Sequence, residues 1–205
     1  MNKFITFEGI DCCGKTTQID LLSNYLLKNN QQSTIVREPG GTLISEKIRN
    51  ILLDNNNFIN SNTETLLFLS ARSQLVNEII AKSINNNFVL CDRYTDSTLA
   101  YQGYGRGISK NKIDILNEFA TSGLNPDITF IFNLNLDESL NRMKKKKNID
   151  RMEQVGKKFL NHVKEGYLEI AKRDINRYKI IDCNNKSINT IHEEIICIVN
   201  EYYGL

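Results

Sequence analysis

The 205-residue chain is long enough for one domain with a sizeable core, and its 40% hydrophobic and 24% charged residues are typical of a folded protein. A net charge of +2 gives no case for nucleic-acid binding, and no apolar run approaches the roughly 20 residues of a membrane-spanning helix. The five cysteines form no CxxC pair and no Cys/His metal pattern, which favours a reducing, cytoplasmic compartment.

Short β-rich runs alternate along the chain with segments of helical periodicity. The predicted strands are 4–7, 34–36, 88–91, 128–132 and 179–181. The predicted helices include 16–27, 64–82, 112–120, 138–146, 153–173 and 189–203. This alternation predicts an α/β fold, with a parallel sheet of about five strands covered by helices on both faces, in a single domain over residues 1–205.

The connection after the first predicted strand carries the pattern GxxxxGK[ST], and a predicted helix follows it. Its glycines allow consecutive N–H groups and the helix N-terminus to point at a bound anion, and a chance Gly-rich turn has no such setting. Lys15 can reach the β- and γ-phosphates of a nucleotide, and the Thr16 hydroxyl can ligate Mg²⁺. The predicted ATP-binding residues here are Gly9, Ile10, Asp11, Cys12, Cys13, Gly14, Lys15, Thr16 and Thr17.

Charged residues follow the second and third predicted strands, where ligands of a parallel sheet bind. Asp92 ends the third strand and can hold Mg²⁺ opposite Thr16, although a cap of the next helix is an equal alternative. Arg93, with Arg37 and Arg49 beyond the second strand, can pair bidentately with a phosphate group. A lone arginine is usually a surface residue, but three of them near strand ends favour a second phosphate site.

Together with the phosphate loop, five further segments resemble the thymidylate kinase family of P-loop nucleoside monophosphate kinases, over essentially the whole chain. They are 7–11, 37–42, 66–72, 92–107 and 150–154, and they include Arg-Glu-Pro-Gly-Gly-Thr at 37–42 and Asp-Arg-Tyr at 92–94. The resemblance implies transfer of the γ-phosphoryl group of ATP to dTMP with Mg²⁺, giving dTDP and ADP and supplying dTTP for DNA replication. It also implies a homodimer, to which the long helix at 64–82 can contribute.

The resemblance assigns an acceptor site as well. Phe68 and Arg72 lie four residues apart on one predicted helix, so they share a face. Phe68, by itself more typical of a core residue, can stack on a pyrimidine, and Arg72 can donate to O4 of thymine but cannot accept from the amino group of cytosine. Tyr101 is similar to the ring that excludes a 2′-hydroxyl. The predicted dTMP-binding set is Asp11, Glu38, Arg37, Arg49, Phe68, Arg72, Arg93, Thr98, Tyr101 and Gln102.

Cys12 is the main departure from the family. Some members have Arg at this position of the loop and others Gly, and members without Arg place basic residues in a mobile lid. We expect the lid at 142–154, which holds Arg142, four lysines at 144–147 and Arg151. Arg151 is predicted as the catalytic lid cation with one lysine assisting, and Arg142 with the loop at 182–184 as the adenine side of the site. The predicted catalytic set is Lys15, Asp11, Arg93 and Arg151.

Other interpretations fit less of the chain. Residues 111–114 match the guanine-reading NKxD pattern, but they follow a Gly-rich stretch rather than a strand, and no DxxG switch follows the phosphate loop. Another nucleoside monophosphate kinase or a deoxynucleoside kinase shares the loop, the acid–arginine pair and the basic lid. The segments at 37–42 and 101–107 favour thymidylate over these, and the intact Lys15, Thr16, Asp92 and Arg93 oppose a purely structural relic.

Overall fold

The computed structural model describes residues 3–147 and 149–205. Its strands are β1 (Phe4–Glu8), β2 (Ser33–Arg37), β3 (Phe88–Asp92), β4 (Ile128–Asn133) and β5 (Tyr178–Asp182). They form one sheet in the order β2-β3-β1-β4-β5, and every pairing is parallel. The predicted α/β fold is confirmed, and each predicted strand extends by only one or two residues in the structure.

The helices described are α1 (Lys15–Lys28), α2 (Leu43–Leu53), α3 (Ser61–Leu75), α4 (Ala81–Ser83), α5 (Thr95–Thr98), α6 (Lys110–Thr121), α7 (Leu136–Met143), α8 (Lys157–Ala171) and α9 (Ile188–Tyr203). A π-helical segment at Val76–Ile80 joins α3 to α4, so the predicted helix 64–82 is one continuous helix. A second π-helical segment, Leu99–Gly105, continues α5. Such widened turns often occur at functional sites.

Two predicted helix boundaries are wrong. The helix predicted at 153–173 begins only at Lys157, after an extended Gly156, because residues 151–155 form turns. The helix predicted at 138–146 ends at Met143, since like charges at helical spacing in the lysine run disfavour its continuation. α2, absent from the predicted helices, begins after Thr42, whose hydroxyl accepts a hydrogen bond from the Ser45 N–H at 3.1 Å.

The core lies on both faces of the sheet. All five residues of β1 are buried, as expected for the central strand of a parallel sheet with helices on both sides. α1 buries Ile19, Leu22 and Leu26, spaced three and four residues apart, and each such side chain stabilises the fold by about 1.5–3 kcal/mol. Among the described residues, no helix is long and apolar enough to cross a bilayer.

The sheet brings the predicted functional loops to one edge. Because the strands are parallel, the carboxyl ends of β1, β2 and β3 point the same way, and the register pairs Phe7 and Arg37 each with Asp92. The phosphate loop, the 37–42 segment and the 92–94 segment therefore start side by side.

Candidate active site

The phosphate loop has a backbone that only glycine allows at two positions. Gly9 has φ +138°, and a Cβ there would lie 2.8 Å from the carbonyl oxygen of Phe132. Gly14, with φ +103°, precedes the first residue of α1. The side chains of Ile10 and Cys13 are buried in the core, so these positions offer only main-chain groups to a ligand.

Lys15 lies inside this loop. Its side chain is buried, and Nζ donates to the carbonyl oxygens of Gly9 and Ile10 at 3.2 Å each and contacts Cys13 Sγ at 3.7 Å. These partners are uncharged, so the positive charge is left for an anion. Thr17 lies exposed in the first turn of α1, at the positive end of the helix dipole.

Thr16 and Asp92 lie together at the mouth of the loop. Thr16 Oγ1 donates to Asp92 Oδ2 at 3.0 Å. A hydroxyl and a carboxylate are oxygen ligands of the kind that Mg²⁺ uses beside substrate phosphates and water, so the donor set fits this metal. Asp92 does not cap the following helix, because the cap residue of α5 is Tyr94, which makes no side-chain capping hydrogen bond.

A cavity beyond the ends of β1, β2 and β3 collects the predicted acceptor residues. Nine of the ten line it: Asp11, Glu38, Arg49, Phe68, Arg72, Arg93, Thr98, Tyr101 and Gln102. The tenth, Arg37, lies outside the lining, and its side chain is 48% exposed and paired with Glu46 at 2.9 Å. Residues far apart in the sequence thus form one wall.

Arg93 connects the phosphate loop to this cavity. Its Nη2 donates to Asp11 Oδ1 at 2.6 Å, and its Nη1 donates to the carbonyl oxygen of Gly9 at 2.9 Å. The Tyr101 hydroxyl donates to Asp11 Oδ2 at 3.0 Å. Burial alone would raise the pKa of Asp11, but Arg93 and Lys15 hold it below its ordinary value. The Asp11 carboxylate is therefore ionised and joins the loop to the cavity wall.

Arg72 is almost fully enclosed. Its Nε donates to Glu38 Oε2 at 2.8 Å, and its Nη2 lies 2.6 Å from the same oxygen as an ion pair and donates to the Tyr94 carbonyl oxygen at 2.8 Å. Its Nη1 donates to Thr98 Oγ1 at 2.9 Å and to Asn117 Oδ1 at 2.6 Å. Each of the three guanidinium nitrogens therefore donates to a protein acceptor, and both N–H groups of Nη1 are engaged. Burial raises the pKa of Glu38 against the opposing charge of Arg72.

Comparison with known proteins agrees with this geometry. The family model for thymidylate kinase matches residues 7–195. The chain belongs to the thymidylate kinase family. Thymidylate kinases of Thermoanaerobacter sp. (strain X514) and Thermosipho africanus are 45% and 46% identical to it, over 98% and 97% of this chain and 98% of each relative. The crystal structure of thymidylate kinase from Ehrlichia chaffeensis superposes with a TM-score of 0.78 at 38% identity, over 96% of this chain and 97% of that chain.

In this member of the thymidylate kinase family, Arg49 is a second arginine of the cavity wall that can meet an anion. Arg49 Nη1 donates to the Pro39 carbonyl oxygen at 2.8 Å, on the cavity wall. Burial, then the neighbouring Arg37, lowers the pKa of Arg49, and Arg93 adds to this effect. Such crowding of positive charge favours an anionic ligand.

The predicted lid, 142–154, contains Asn148, which lies outside the described residues. Within it, Lys146 Nζ pairs with Glu153 Oε1 at 2.5 Å. Burial raises the pKa of the Cys12 thiol, and the largest opposing charge on that thiol is Lys146. Burial lowers the pKa of Lys146, but Glu153, and to a smaller extent Asp11, hold it above its ordinary value. The Lys146 ammonium is therefore paired with Glu153, and its charge also acts on the Cys12 thiol of the phosphate loop.

Arg151 bonds to residues outside the cavity. Its Nη1 pairs with Glu64 at 2.7 Å and its Nε donates to the Leu52 carbonyl oxygen at 2.7 Å, and it is absent from the cavity lining. Arg142 bonds to Glu138 at 2.9 Å and reaches the Cys12 carbonyl oxygen at 3.3 Å. Of these two cations, only Arg142 touches the phosphate loop.

Sequence reasoning missed part of the lining. Ser97 lies one turn before Tyr101 on the same continuous helix, a spacing that could have indicated it. The other missed residues are Pro39, Leu53, Asp150, Met152 and Glu153. Pro39 belongs to the 37–42 segment, and Asp150, Met152 and Glu153 belong to the 150–154 segment, although none of them is among the predicted site residues. Nothing local in the sequence marks Leu53, the last residue of α2.

Proposed function

We propose that this chain transfers the γ-phosphoryl group of ATP to dTMP, giving dTDP and ADP. The observation that carries the proposal is the contact of Arg93 with Asp11, at 2.6 Å, where the phosphate loop meets a cavity lined by nine predicted acceptor residues. Phosphoryl transfer needs the donor and acceptor phosphates side by side. Because Arg93 contacts Asp11, the phosphate loop lies next to the acceptor cavity, as this geometry requires.

The donor side is the phosphate loop. Main-chain N–H groups, the N-terminus of α1 and Lys15 hold the phosphates of ATP, with Thr17 beside them. Thr16 and Asp92 hold Mg²⁺, which supplies charge neutralisation at the transferring phosphoryl group. Arg142 lies on the adenine side, where it reaches the Cys12 carbonyl oxygen.

The acceptor phosphate binds between Arg49 and Arg93, with Arg37 as a third cation nearby. Both Arg49 and Arg93 line the cavity, and each offers a planar guanidinium group for bidentate contact. Asp11 and Tyr101 lie next to the sugar position. A dTMP phosphate is already anionic at neutral pH, so neither Asp11 nor Glu38 needs to act as a general base.

The base lies against Phe68, and Gln102 reads its edge. An amide oxygen accepts a hydrogen bond from N3–H of thymine but meets the lone pair of N3 in cytosine. Thr98 borders the same edge. Nη1 of Arg72 can reach O4 only by sharing an N–H that already has a protein acceptor, as in a bifurcated hydrogen bond.

The lid, approximately 142–154, supplies the missing cation for a loop that has Cys12 in place of Arg. We assign this role to Lys146, whose charge acts on the Cys12 thiol and whose pair with Glu153 is half exposed, rather than to Arg151, whose pair with Glu64 is buried. Arg151 then contributes to catalysis by holding the lid closed. A closed lid also excludes water and so limits hydrolysis of ATP.

The test is ADP release with Mg-ATP and each acceptor in turn: dTMP, dUMP, dCMP, AMP, GMP and thymidine. We expect strong preference for dTMP, with dUMP second. Preference for thymidine or a purine monophosphate would keep the donor site and overturn the acceptor assignment. ADP release that is equal with every acceptor and without one would identify an ATPase instead.

A homodimer in a cytoplasmic compartment completes the proposal. Exposed apolar side chains lie on α3 and α6, which pack against each other: Leu66 at 55%, Ile115 at 58% and Phe119 at 84% exposure. A second copy of the chain would cover them. All five cysteines are free, as in a reducing compartment. Sedimentation analysis of Phe119→Glu against the wild type tests the dimer.

A further inference from the structure

Glu64 lies outside the cavity but bonds to side chains on both sides of it. It is on α3, one turn before Phe68, and is fully buried. Its Oε1 accepts from Gln102 Nε2 at 3.0 Å and from Arg106 Nε at 3.1 Å. Its Oε2 accepts from Arg106 Nη2 at 3.1 Å and pairs with Arg151 Nη1 at 2.7 Å. One carboxylate therefore joins α3, the π-helical segment Leu99–Gly105 and the lid.

This carboxylate fixes the orientation of the Gln102 amide. Burial alone would raise the pKa of Glu64, but hydrogen bonds from Arg106, Gln102 and Arg151 hold it below its ordinary value. An ionised carboxylate only accepts hydrogen bonds, so Gln102 must turn its NH₂ group toward Glu64. Its amide oxygen is then free for the cavity that Gln102 lines, and no described residue donates to that oxygen.

The other oxygen of Glu64 holds the lid. Arg151 is in the lid segment whose neighbours Asp150 and Met152 line the cavity. Besides the pair with Glu64, the main-chain N–H of Arg151 donates to the Leu53 carbonyl oxygen at 3.2 Å. Arg106, the remaining partner of Glu64, stacks on Phe159 of α8, with the guanidinium carbon 4.7 Å from the ring centroid.

We propose that Glu64 is a positioning residue that couples the acceptor base to the lid. It touches neither the base nor the phosphates, yet it holds the amide that reads the base and the arginine that keeps the lid in place. Binding of thymine to Gln102 then favours the closed lid, whereas a base that displaces the Gln102 amide weakens the contact between Glu64 and the lid. This inference rests on the proposed function, since it takes the cavity as the site of a pyrimidine acceptor.

The test is Glu64→Gln, which keeps the shape of the side chain but leaves one accepting oxygen. In the wild type we expect dTMP to tighten the binding of a non-hydrolysable ATP analogue by about tenfold, measured by calorimetry. In the variant this factor falls to about one, and the preference for dTMP over dCMP in kcat/KM falls about tenfold. The control is Glu169→Gln, whose pair with Lys172 is exposed and should change neither quantity.

A second readout follows the lid itself. The lysine run at 144–147 offers trypsin sites, and we expect dTMP with the ATP analogue to slow their cleavage in the wild type but not in Glu64→Gln. Arg151→Ala removes only the lid contact, so it should lose this protection while keeping the preference for dTMP over dCMP. If Glu64 had only a structural role, its substitution would lower the free energy of unfolding, and Arg151→Ala would not separate protection from trypsin from the preference for dTMP over dCMP.

Should Glu64→Gln fail to fold, Arg151→Ala and Gln102→Ala leave Glu64 paired with Arg106 and answer the same question. Their effects on the coupling factor should be strongly non-additive, because both act through one carboxylate. Additive effects, or unchanged coupling in a folded Glu64→Gln, overturn the inference while dTMP turnover by the wild type still supports the proposed function. If another acceptor is preferred, the proposed function falls, and the same measurements with that acceptor decide the role of Glu64.

Discussion

The phosphate loop and the lid present positive charge to the same place but are held there by different means. In the loop, Lys15 bonds to carbonyl oxygens only five and six residues away. In the lid, Arg151 bonds to the carbonyl oxygen of Leu52, 99 residues earlier, and to the buried Glu64. The loop is thus a local structure, whereas the lid depends on distant side chains.

This difference explains why a short pattern identifies one region and not the other. A loop that binds phosphate through its main chain needs glycines at fixed positions, and such positions are visible in a sequence. The role of a lid cation depends on where its charge acts. Arg151 lies in a recognisable segment but is paired with Glu64 on α3. Lys146, in an ordinary lysine run and paired with Glu153, is the residue whose charge acts on the Cys12 thiol of the loop.

The largest effect should come from Lys15→Ala in the loop. We expect kcat/KM to fall by at least about 10³-fold, because no other side chain of the loop replaces the ammonium group. Thermal unfolding should change little, since Lys15 bonds only to carbonyl oxygens and a thiol. Lys28→Ala, at the exposed end of the same helix, is the control. Near-normal activity would mean that the lid alone neutralises the phosphates.

Arg72→Ala tests how far the cavity wall depends on buried side chains. We expect the free energy of unfolding to fall by about 3–5 kcal/mol in urea denaturation, because Glu38 is left as an unpaired buried carboxylate. The exposed pair of Arg173 with Asp114 provides the control, and Arg173→Ala should cost at most about 1 kcal/mol. If folded Arg72→Ala still prefers dTMP over dCMP, Arg72 does not read the base.

Lys146→Ala separates the lid cation from the lid anchor. We expect kcat to fall about 100-fold with little change in KM for dTMP, the pattern of a contact made in the transition state. Adding Cys12→Arg should restore about tenfold, because the loop then supplies the cation. Its backbone already has φ +58° with a side chain present, so Arg adds no new strain of this kind. Equal losses from Lys146→Ala and Lys147→Ala would contradict the assignment.

Glu8, which precedes the phosphate loop, gives an effect on stability that depends on pH. Burial, then the charge of Asp96, raises the pKa of Glu8 to about 7 from 4.5. The native state therefore binds this proton more tightly than the unfolded chain, so the stabilisation is complete below pH 4.5 and is lost as the pH rises to about 7. Relative to Glu8→Gln, the wild type should lose about 3 kcal/mol of unfolding free energy across that window. A constant difference would contradict the raised pKa.

Much of the fold could be predicted because its signals are local. The apolar strands located the sheet to within a residue or two, and the loop at Gly9 to Thr16 lies between β1 and α1 as predicted. The acceptor residues Phe68 and Arg72 follow from helical spacing and the family resemblance, and both line the cavity. The partner of Arg151 could not be predicted, since it depends on a contact between segments far apart in the chain.

The unequal state of the two oxygens of Glu38 has a consequence for inhibitor design. Oε2 is fully engaged by Arg72, whereas the buried Oε1 has no hydrogen-bond partner among the described residues. An inhibitor that directs an acceptor at Arg72 must compete with bonds already made. An N–H or O–H donor directed at Oε1 would instead approach an oxygen that Arg72 does not engage. Selective ligands for this cavity should therefore be donors on the Glu38 side.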